Sequence, residues 1–351
     1  MTKNSYHIAI LGATGVVGRK MIYFLEQSTL PIHQLTLLSS KKSAGTKLVF
    51  KNEEITVQEA TEHSFKDVDI ALFSAGGEIS KKFASIAVHS GAVVIDNTSA
   101  FRMVEDVPLV VPEVNKEMIL SHKGIIANPN CSTIQMVVAL KPIAQKFGLE
   151  KVIISTYQAV SGAGSRAMDE LSNEILAHTL NEPYEPKVLP VSSLPKHYPI
   201  FQNVIPQIDK FVENGFTFEE MKMINETKKI LNDDTLKVSA TCVRIPIFVG
   251  HSESIYIEIN DPEVSVETMK ELLKQSPGIK LVDNLEEQLY PMPILSIDSK
   301  DVFVGRIRKD LDEPKGFHLW VVADNLAKGA AANSVLIAEE VIAMNAFIQK
   351  N

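Results

Sequence analysis

The sequence predicts an α/β protein in two parts, a doubly wound parallel sheet followed by a second, mixed α/β domain. Three observations carry this expectation. A glycine turn near the start sits between a β-rich run and a helical spacing. Short β-rich runs then alternate with helical spacings. Finally, 351 residues exceed the length at which a single hydrophobic core usually stops growing.

Taken in order, His7 to Leu11 is the first β-rich run, and Gly12-Ala13-Thr14-Gly15-Val16-Val17-Gly18 follows it, ahead of Met21, Phe24 and Leu25 at helical spacing. Glycines let the chain turn tightly and approach a pyrophosphate, while free N–H groups at the helix start face the anion. The spacing G-x-x-G-x-x-G between strand and helix therefore reads as the nucleotide turn of a Rossmann-type sheet. Leu35 to Leu38 is the second strand. Beyond it, where an NAD enzyme places a carboxylate on the ribose, stand Ser39, Ser40, Lys41, Lys42 and Ser43. Hydroxyls and ammonium groups suit a 2′-phosphate, which favours NADP (NADPH); a solvated turn with incidental lysines is the other reading. Further strands are expected at Val68 to Ser74, Ala92 to Asp96 and Gly124 to Ala127, with a helix near Lys81 to His89. Ligands of such sheets sit beyond the carboxyl ends of the strands, where Ser74 to Gly77, Asp96 to Ser99 and Asn128 to Cys131 fall. A strand over Val238 to Val249, a long surface connection over Asn181 to Pro206 and a final helix over Lys328 to Ile348 complete the expectation.

Composition narrows the function. Apolar residues make up 45% and charged residues 22%, as in ordinary globular chains. Lys and Arg number 35 against 43 Asp and Glu, a net charge of −8 with no long basic run, so no footprint for nucleic acid or an anionic membrane is present. Small-molecule chemistry is expected instead. Two cysteines, Cys131 and Cys242, are too few for a disulfide framework and suit a reducing, cytoplasmic setting. The opening apolar run breaks at Gly12 and reads as a strand rather than a signal peptide, and no stretch is long enough to cross a bilayer. No spaced Cys/His cluster suggests a metal site.

The candidate chemistry centres on Asn128-Pro129-Asn130-Cys131-Ser132-Thr133. Ser132 and Thr133 can cap a helix carrying Ile134, Val137, Val138 and Ile143, which puts Cys131 at its N-terminus, where partial positive charge favours a thiolate. Taken by itself, the cysteine reads first as an inert core thiol, and the nucleotide turn upstream changes that reading. A thiolate at the mouth of a dinucleotide crevice can form a thioester or thiohemiacetal beside a nicotinamide, which is aldehyde oxidation or its reverse. Tyr157 to Gly164, a strand running into a glycine-rich loop, either contacts the nicotinamide or is a flexible turn. His251, in Gly-His-Ser-Glu, is a surface or core histidine unless other groups recruit it. Glu219 and Lys222, three apart on a helical stretch over Phe218 to Lys229, read locally as an exposed ion pair, and Cys242 as a core residue of its strand.

The segments GATGVVG, ALFSAGG, DNTSAFR, VVPEVN, NPNCSTIQ, STYQAVSGAG, VIPQID, EEMKMINETKKI, VSATCVRIP, GHSES, DVFVGRIRKDL and LWVVADNLAKGAAANSV run in this order over nearly the whole chain. In them the chain resembles the aspartate-semialdehyde dehydrogenase family. The resemblance implies NADPH-dependent reductive dephosphorylation of L-aspartyl-4-phosphate to L-aspartate 4-semialdehyde, with release of inorganic phosphate, on the route to lysine, threonine and methionine. It implies Cys131 as the acylated nucleophile, Gln158 orienting the intermediate and His251 as acid/base. Arg244 would grip the substrate carboxylate, Arg102 and Lys222 the phosphate and Glu219 the ammonium, with Asn130 beside them. For the cofactor, Gly12 with Thr14, Gly15, Val16 and Val17 would cradle the pyrophosphate, and Ser40, Lys42 and Ser43 would hold the 2′-phosphate. Ser161, Gly162 and Asn325 would meet the nicotinamide end. Many members carry arginine where Lys42 stands; lysine keeps the charge and loses the bidentate fork.

The implied layout is an NADP-binding Rossmann domain over 1–130 completed by a C-terminal helix at 326–351, and a catalytic and dimerisation domain over 131–325. A homodimer is implied, with pairing into a tetramer left open. Two rivals stand beside this reading. N-acetyl-glutamyl-phosphate reductases share the cysteine chemistry but carry NPGCYPT in place of NPNCSTI, and a non-catalytic NADP-binding sensor would have no chemical reason to keep Cys131, Gln158, Arg244 and His251 together.

Overall fold

The computed structural model describes residues 3–347. The chain divides into two compact units, one running to Asn130 and resumed from Ala330, the other Cys131–Gly329.

The first unit is built on β1 (Tyr6–Leu11), α1 (Val16–Gln27), β2 (Ile32–Ser39), the hairpin β3 (Lys47–Phe50) and β4 (Glu53–Thr56), β5 (Gln58–Glu59), β6 (Ile70–Phe73), α2 (Gly77–His89), β7 (Val93–Asp96), α3 (Pro112–Asn115) and β8 (Ile125–Ala127). Six strands form one sheet in the order β5-β2-β1-β6-β7-β8, every pair parallel. All residues of β1, β6 and β7 are buried, which is why they read as unbroken apolar runs rather than alternations. The chain steps to β2 on one side of β1 and to β6 on the other, so the topological switch point lies at the carboxyl end of β1, at the glycine turn. Gly12 takes φ +92°, and a Cβ on Gly18 would stand 2.2 Å from the Gly12 carbonyl oxygen; the first glycine makes the turn and the third lets α1 approach it.

The C-terminal helix, reached through a π-type turn at Ala327–Ala331, is α-helical over Ala332–Ala343 and packs on α1. The expectation of helix to Ile348 is corrected in part: Asn345 has φ 52°, which ends the helix, and residues 348–351 lie outside those described. The helix contributes more than an apolar face. Asn333 Nδ2 donates to the Val110 carbonyl at 3.1 Å and to Asn128 Oδ1 at 2.7 Å, and Ser334 Oγ donates to Asn97 Oδ1 at 2.9 Å. These bonds fix the loops that leave the sheet after β7 and β8.

The second unit contains α4 (Cys131–Phe147), β9 (Lys151–Gln158), α5 (Ser165–Leu180), α6 (Phe218–Leu231), β10 (Lys237–Arg244), β11 (His251–Glu258), α7 (Val266–Gln275), β12 (Ile279–Leu281), α8 (Pro293–Ser296), β13 (Val302–Lys309) and β14 (Gly316–Ala323). Its sheet has the order β10-β9-β11-β14-β13-β12; the pairs β9/β10 and β12/β13 are parallel and the rest antiparallel. On β9, Val152, Ile154, Thr156 and Gln158 are buried while Ile153 on the other face is 44% exposed, the alternation of a strand with one covered face. Helix α4 packs on α6 and on α7, and all three pack on this sheet.

Two local expectations need correction. Ser132 and Thr133 lie inside α4, which already begins at Cys131. The strand expected over Val238 to Val249 stops at Arg244, because Pro246 has no N–H to give a ladder, and the next strand begins at His251 after Gly250 at φ +95°. The connection after α5 is long, as expected, but it does not lie wholly at the surface, since Leu189 and Ile200 are buried: Glu170 accepts the backbone N–H groups of Lys187, Val188 and Leu189, and Glu174 those of Ile200 and Phe201. Leu189, Ile200 and Ile205 then pack with Val160, Ala167 and Leu171.

Candidate active site

In the first unit, α1 starts at Val16 with Gly15 as its N-cap, no side chain caps it, and its first turn holds no acidic residue. The backbone N–H groups of that turn are therefore available to an anion. Thr14 Oγ1 and Ser39 Oγ are 2.9 Å apart, joining the glycine turn to the end of β2. Ser40 then opens a 3₁₀ turn, Lys41–Ser43, whose lysines are exposed. This donor set, an uncapped helix start followed by hydroxyls and ammonium groups, fits a dinucleotide phosphate; the carboxylate that register sets opposite Ser39 is the exposed Glu59 on edge strand β5. Arg102 is buried, its Nε donating to the Asn128 carbonyl at 2.9 Å and its Nη2 to the Asn97 carbonyl at 2.8 Å. The guanidinium is thus anchored by the two loops that the C-terminal helix holds. Asn130, also buried, is the last residue of the first of this unit's two segments.

In the second unit, Cys131 is the first residue of the 17-residue helix α4 and is half-buried. Its back is closed by Gly329: a Cβ there would stand 2.7 Å from Cys131 Cβ. The other thiol is of another kind. Cys242 is fully buried beside Met223, and burial pushes its thiol well above the ordinary range, so it stays protonated. No disulfide joins the two.

Around Gly162 the structure gathers His251 and Arg244. A Cβ on Gly162 would meet Arg244 Nη1 at 2.8 Å and His251 Nε2 at 3.3 Å, so only glycine leaves room there. Arg244 Nη1 donates to the Ala159 carbonyl at 2.7 Å, and the Ala159 N–H donates to His251 Nδ1 at 3.1 Å. An amide N–H can only donate, so Nδ1 is the acceptor and the neutral imidazole carries its proton on Nε2. His251 Nε2 and Arg244 Nε are both buried without a hydrogen-bond partner. Two orphaned donors in one place call for an acceptor from a ligand. Burial, with the Arg244 charge adding to it, lowers the His251 pKa to about 3, opposed only by the Gly250 carbonyl. Burial also pulls the Arg244 guanidinium down, while Glu219, Cys131 and Cys242 act on it in the opposite sense.

Gln158, at the end of β9, donates through Nε2 to Thr156 Oγ1 at 3.2 Å and Glu219 Oε1 at 3.3 Å. Glu219 is 5% exposed, which corrects the expectation of an exposed pair. The ion pair itself exists, with Lys222 Nζ 3.3 Å from Glu219 Oε2 and 3.0 Å from Asp209 Oδ2, but a capping box between Thr217 and Glu220 turns the first turn of α6 inward, and local spacing carries no record of that. Ser161 Oγ and Asn325 are mutually hydrogen-bonded, and Asn325 Oδ1 also accepts the Gly250 N–H at 2.9 Å. The structure thus ties Gln158 to Glu219 and Lys222, His251 to Arg244 and Gly162, and Ser161 to Asn325, all within one unit. Sequence reasoning missed Ala159, Gly329, Asp209, Gln135 and Glu253. For Glu253 a signal existed in the acid two residues after His251 on a β-rich run; for the others no local pattern could have found them.

The chain matches two family models, described as the NAD binding domain of semialdehyde dehydrogenase over residues 7–122 and the semialdehyde dehydrogenase dimerisation domain over residues 140–328. It is 60% identical over 339 residues to the aspartate-semialdehyde dehydrogenase of Bacillus subtilis (strain 168), covering 97% of this chain and 98% of that one. With the enzyme of the same name from Aquifex aeolicus (strain VF5) it shares 53% identity over 95% of this chain and 97% of the other. Among solved structures, aspartate semialdehyde dehydrogenase II from Vibrio cholerae, complexed with ASA, superposes with a TM-score of 0.92 at 44% identity, over 97% of this chain and 99% of that one. The Candida albicans enzyme with NADP superposes at 0.74 with 27% identity, over 97% and 99%.

Proposed function

Because the chain belongs to the aspartate-semialdehyde dehydrogenase family, we propose that Cys131 is the nucleophile through which it passes an aspartyl group between phosphate and aldehyde. The enzyme interconverts L-aspartyl-4-phosphate and L-aspartate 4-semialdehyde with a nicotinamide dinucleotide, a step in the biosynthesis of lysine, threonine and methionine. The observation that carries the residue assignment is the pair of orphaned donors, His251 Nε2 and Arg244 Nε, beside Gly162.

In the reductive direction the Cys131 thiolate, stabilised by the start of α4 and by the charge of Arg244, bonds to the acyl carbon. The carbon–oxygen bond to phosphate breaks, with Arg102 and Lys222 proposed to take up the departing charge. When bound, the nicotinamide supplies hydride to the thioester carbonyl. His251 donates its Nε2–H to the carbonyl oxygen as negative charge develops there, in the manner of an oxyanion donor. Collapse restores the carbonyl and releases the thiolate. Gln158 orients the acyl group and Glu219 faces the ammonium, which leaves Arg244 for the substrate carboxylate. In the first unit, the start of α1 takes the pyrophosphate, and Ser40, Lys42 and Ser43 take a 2′-phosphate, which favours NADP over NAD. In the second, Ser161, Gly162 and Asn325 meet the nicotinamide. We take residues 1–130 with the C-terminal helix as the dinucleotide domain. The uncovered face of the second sheet, with Ile153 exposed, suits a second copy of the chain, consistent with the dimerisation-domain match. We place the enzyme in the cytoplasm; among the described residues no helix is long and apolar enough to cross a membrane.

The test is to supply aspartate semialdehyde and NADP with and without phosphate and follow the reduced nicotinamide. Turnover that requires phosphate, and a higher kcat/KM with NADP than with NAD, are expected. Phosphate-independent turnover would point to a simple aldehyde dehydrogenase, and none at all to a sensor.

The low pKa of His251, about 3, has a consequence for pH dependence. The imidazole stays neutral through pH 5 to 8, so no limb of the kcat/KM profile in that range belongs to it. Its folded pKa lies below the unfolded value of about 6.5, so the unfolded chain binds a proton that the native state refuses. Stability is therefore lost as pH falls below about 6.5, at up to about 1.4 kcal/mol per pH unit from this group. Urea titrations of wild type and His251→Gln between pH 7.5 and 5 should show the wild type losing more; parallel losses would mean an ordinary, titrating histidine.

A further inference from the structure

His251 and Glu253 are two apart on β11 and so point to the same face of the sheet. Glu253 is fully buried, and neither of its carboxyl oxygens has a hydrogen-bond partner. Helix α4 packs against this sheet, and its Gln135 stands one turn beyond Cys131, on the same side of the helix. Gln135 Nε2 donates to the His251 carbonyl at 3.3 Å, while its Oε1 is buried without a donor. Gln135 is the side chain within hydrogen-bonding reach of Glu253; it pulls the carboxyl down, against the larger upward effect of burial. Two acceptor groups buried together without a donor are expensive, and a single proton on the carboxyl satisfies both.

We propose that Glu253 is a positioning residue that works as a neutral acid: its O–H donates to Gln135 Oε1, and Gln135 thereby fixes His251 against the helical turn that begins at Cys131. Burial holds the Glu253 carboxyl well above the usual range, in agreement with this arrangement. The charged and titratable groups around it are His251 on its own strand, Cys242 on β10, Glu219 and Glu220 on α6, which act with it on Cys242, and Arg244 at the end of β10, which acts on His251 and is coupled to Cys131. An ionised Glu253 would add negative charge to this set and oppose a thiolate at Cys131; the neutral acid does not.

The inference rests on the assignment of Cys131 and His251 to the reaction, and its test separates the two. At pH 8 the infrared spectrum of the wild type should contain the carbonyl stretch of a protonated carboxylic acid that Glu253→Gln lacks. Above the unfolded pKa of a glutamate, about 4.3, the unfolded chain gives up a proton that the native state keeps, so wild-type stability falls as pH rises. Glu253→Gln should therefore have the higher Tm at pH 8 and lose that advantage by pH 4.5. In kinetics, Glu253→Leu should lower kcat by at least about tenfold with KM for aspartate semialdehyde unchanged, as for a small misplacement of reacting groups. Glu253→Gln, whose amide can still donate to Gln135, should restore kcat to within about threefold of wild type. Should Glu253→Leu fail to fold, Gln135→Met breaks the same bridge and should show the same loss. Absence of the infrared band, a Tm difference independent of pH, or a Glu253→Gln enzyme as slow as the leucine variant would overturn the proposal. A Cys131→Ala enzyme that still turns over would instead overturn the assignment of the nucleophile, and leaves the infrared and Tm readings standing.

Discussion

Cys131→Ala is expected to lower kcat by roughly 10⁴-fold or more, to the level left by binding and oxyanion stabilisation alone. The reason is chemical: alanine offers nothing to bond the acyl carbon, and the second thiol cannot replace the first. Cys242 is walled in beside Met223 and kept protonated by burial. The fold should be untouched, because Cys131 is half-buried at the start of a 17-residue helix whose packing depends on Ile134, Val137, Val138 and Leu140. NADP should therefore still bind, with fluorescence or calorimetry as the check. Joint loss of turnover, NADP binding and thermal stability would instead mark Cys131 as a structural thiol, and the nucleophile would have to be sought elsewhere.

Arg244→Lys is the second large effect. The guanidinium is buried, donates from Nη1 to the Ala159 carbonyl at 2.7 Å, and leaves Nε without a partner. Lysine keeps the charge but has neither the planar fork nor the length to serve a substrate carboxylate and Ala159 together. Two charge-assisted hydrogen bonds at about 1.5–3 kcal/mol each give an expected loss of kcat/KM of about 10²- to 10⁴-fold. Because the Ala159 N–H donates to His251 Nδ1, kcat should fall as well as KM rise. Steady-state kinetics with aspartate semialdehyde decide it: a wild-type KM would remove Arg244 from the substrate.

Some of this was legible in the chain because it is local. A glycine turn between strand and helix can be read from a few consecutive residues, since the φ +92° of Gly12 and the 2.2 Å approach at Gly18 are demands of neighbouring backbone. The position of Cys131 at a helix start was legible for the same reason, although the helix begins at Cys131 itself. Other features depend on residues far apart. Glu219 is buried because α6 turns its first residues inward and Gln158, 61 residues away, bonds it. The tautomer of His251 is set by the N–H of a residue 92 positions earlier. Glu253 and Gln135 meet because α4 packs on the sheet that contains β11.

The sequence by itself determined the parallel sheet, the anion-ready start of α1, the helix that begins at Cys131, and, through its resemblance to a family, the kind of reaction. Those features follow from backbone sterics and from residue order. Only the tertiary structure decided which donors are left without acceptors, where the imidazole keeps its proton, and that the acid beside it is shut away from water. Hydrogen-bond satisfaction and burial are properties of groups brought together from distant parts of the chain, and no local spacing contains them.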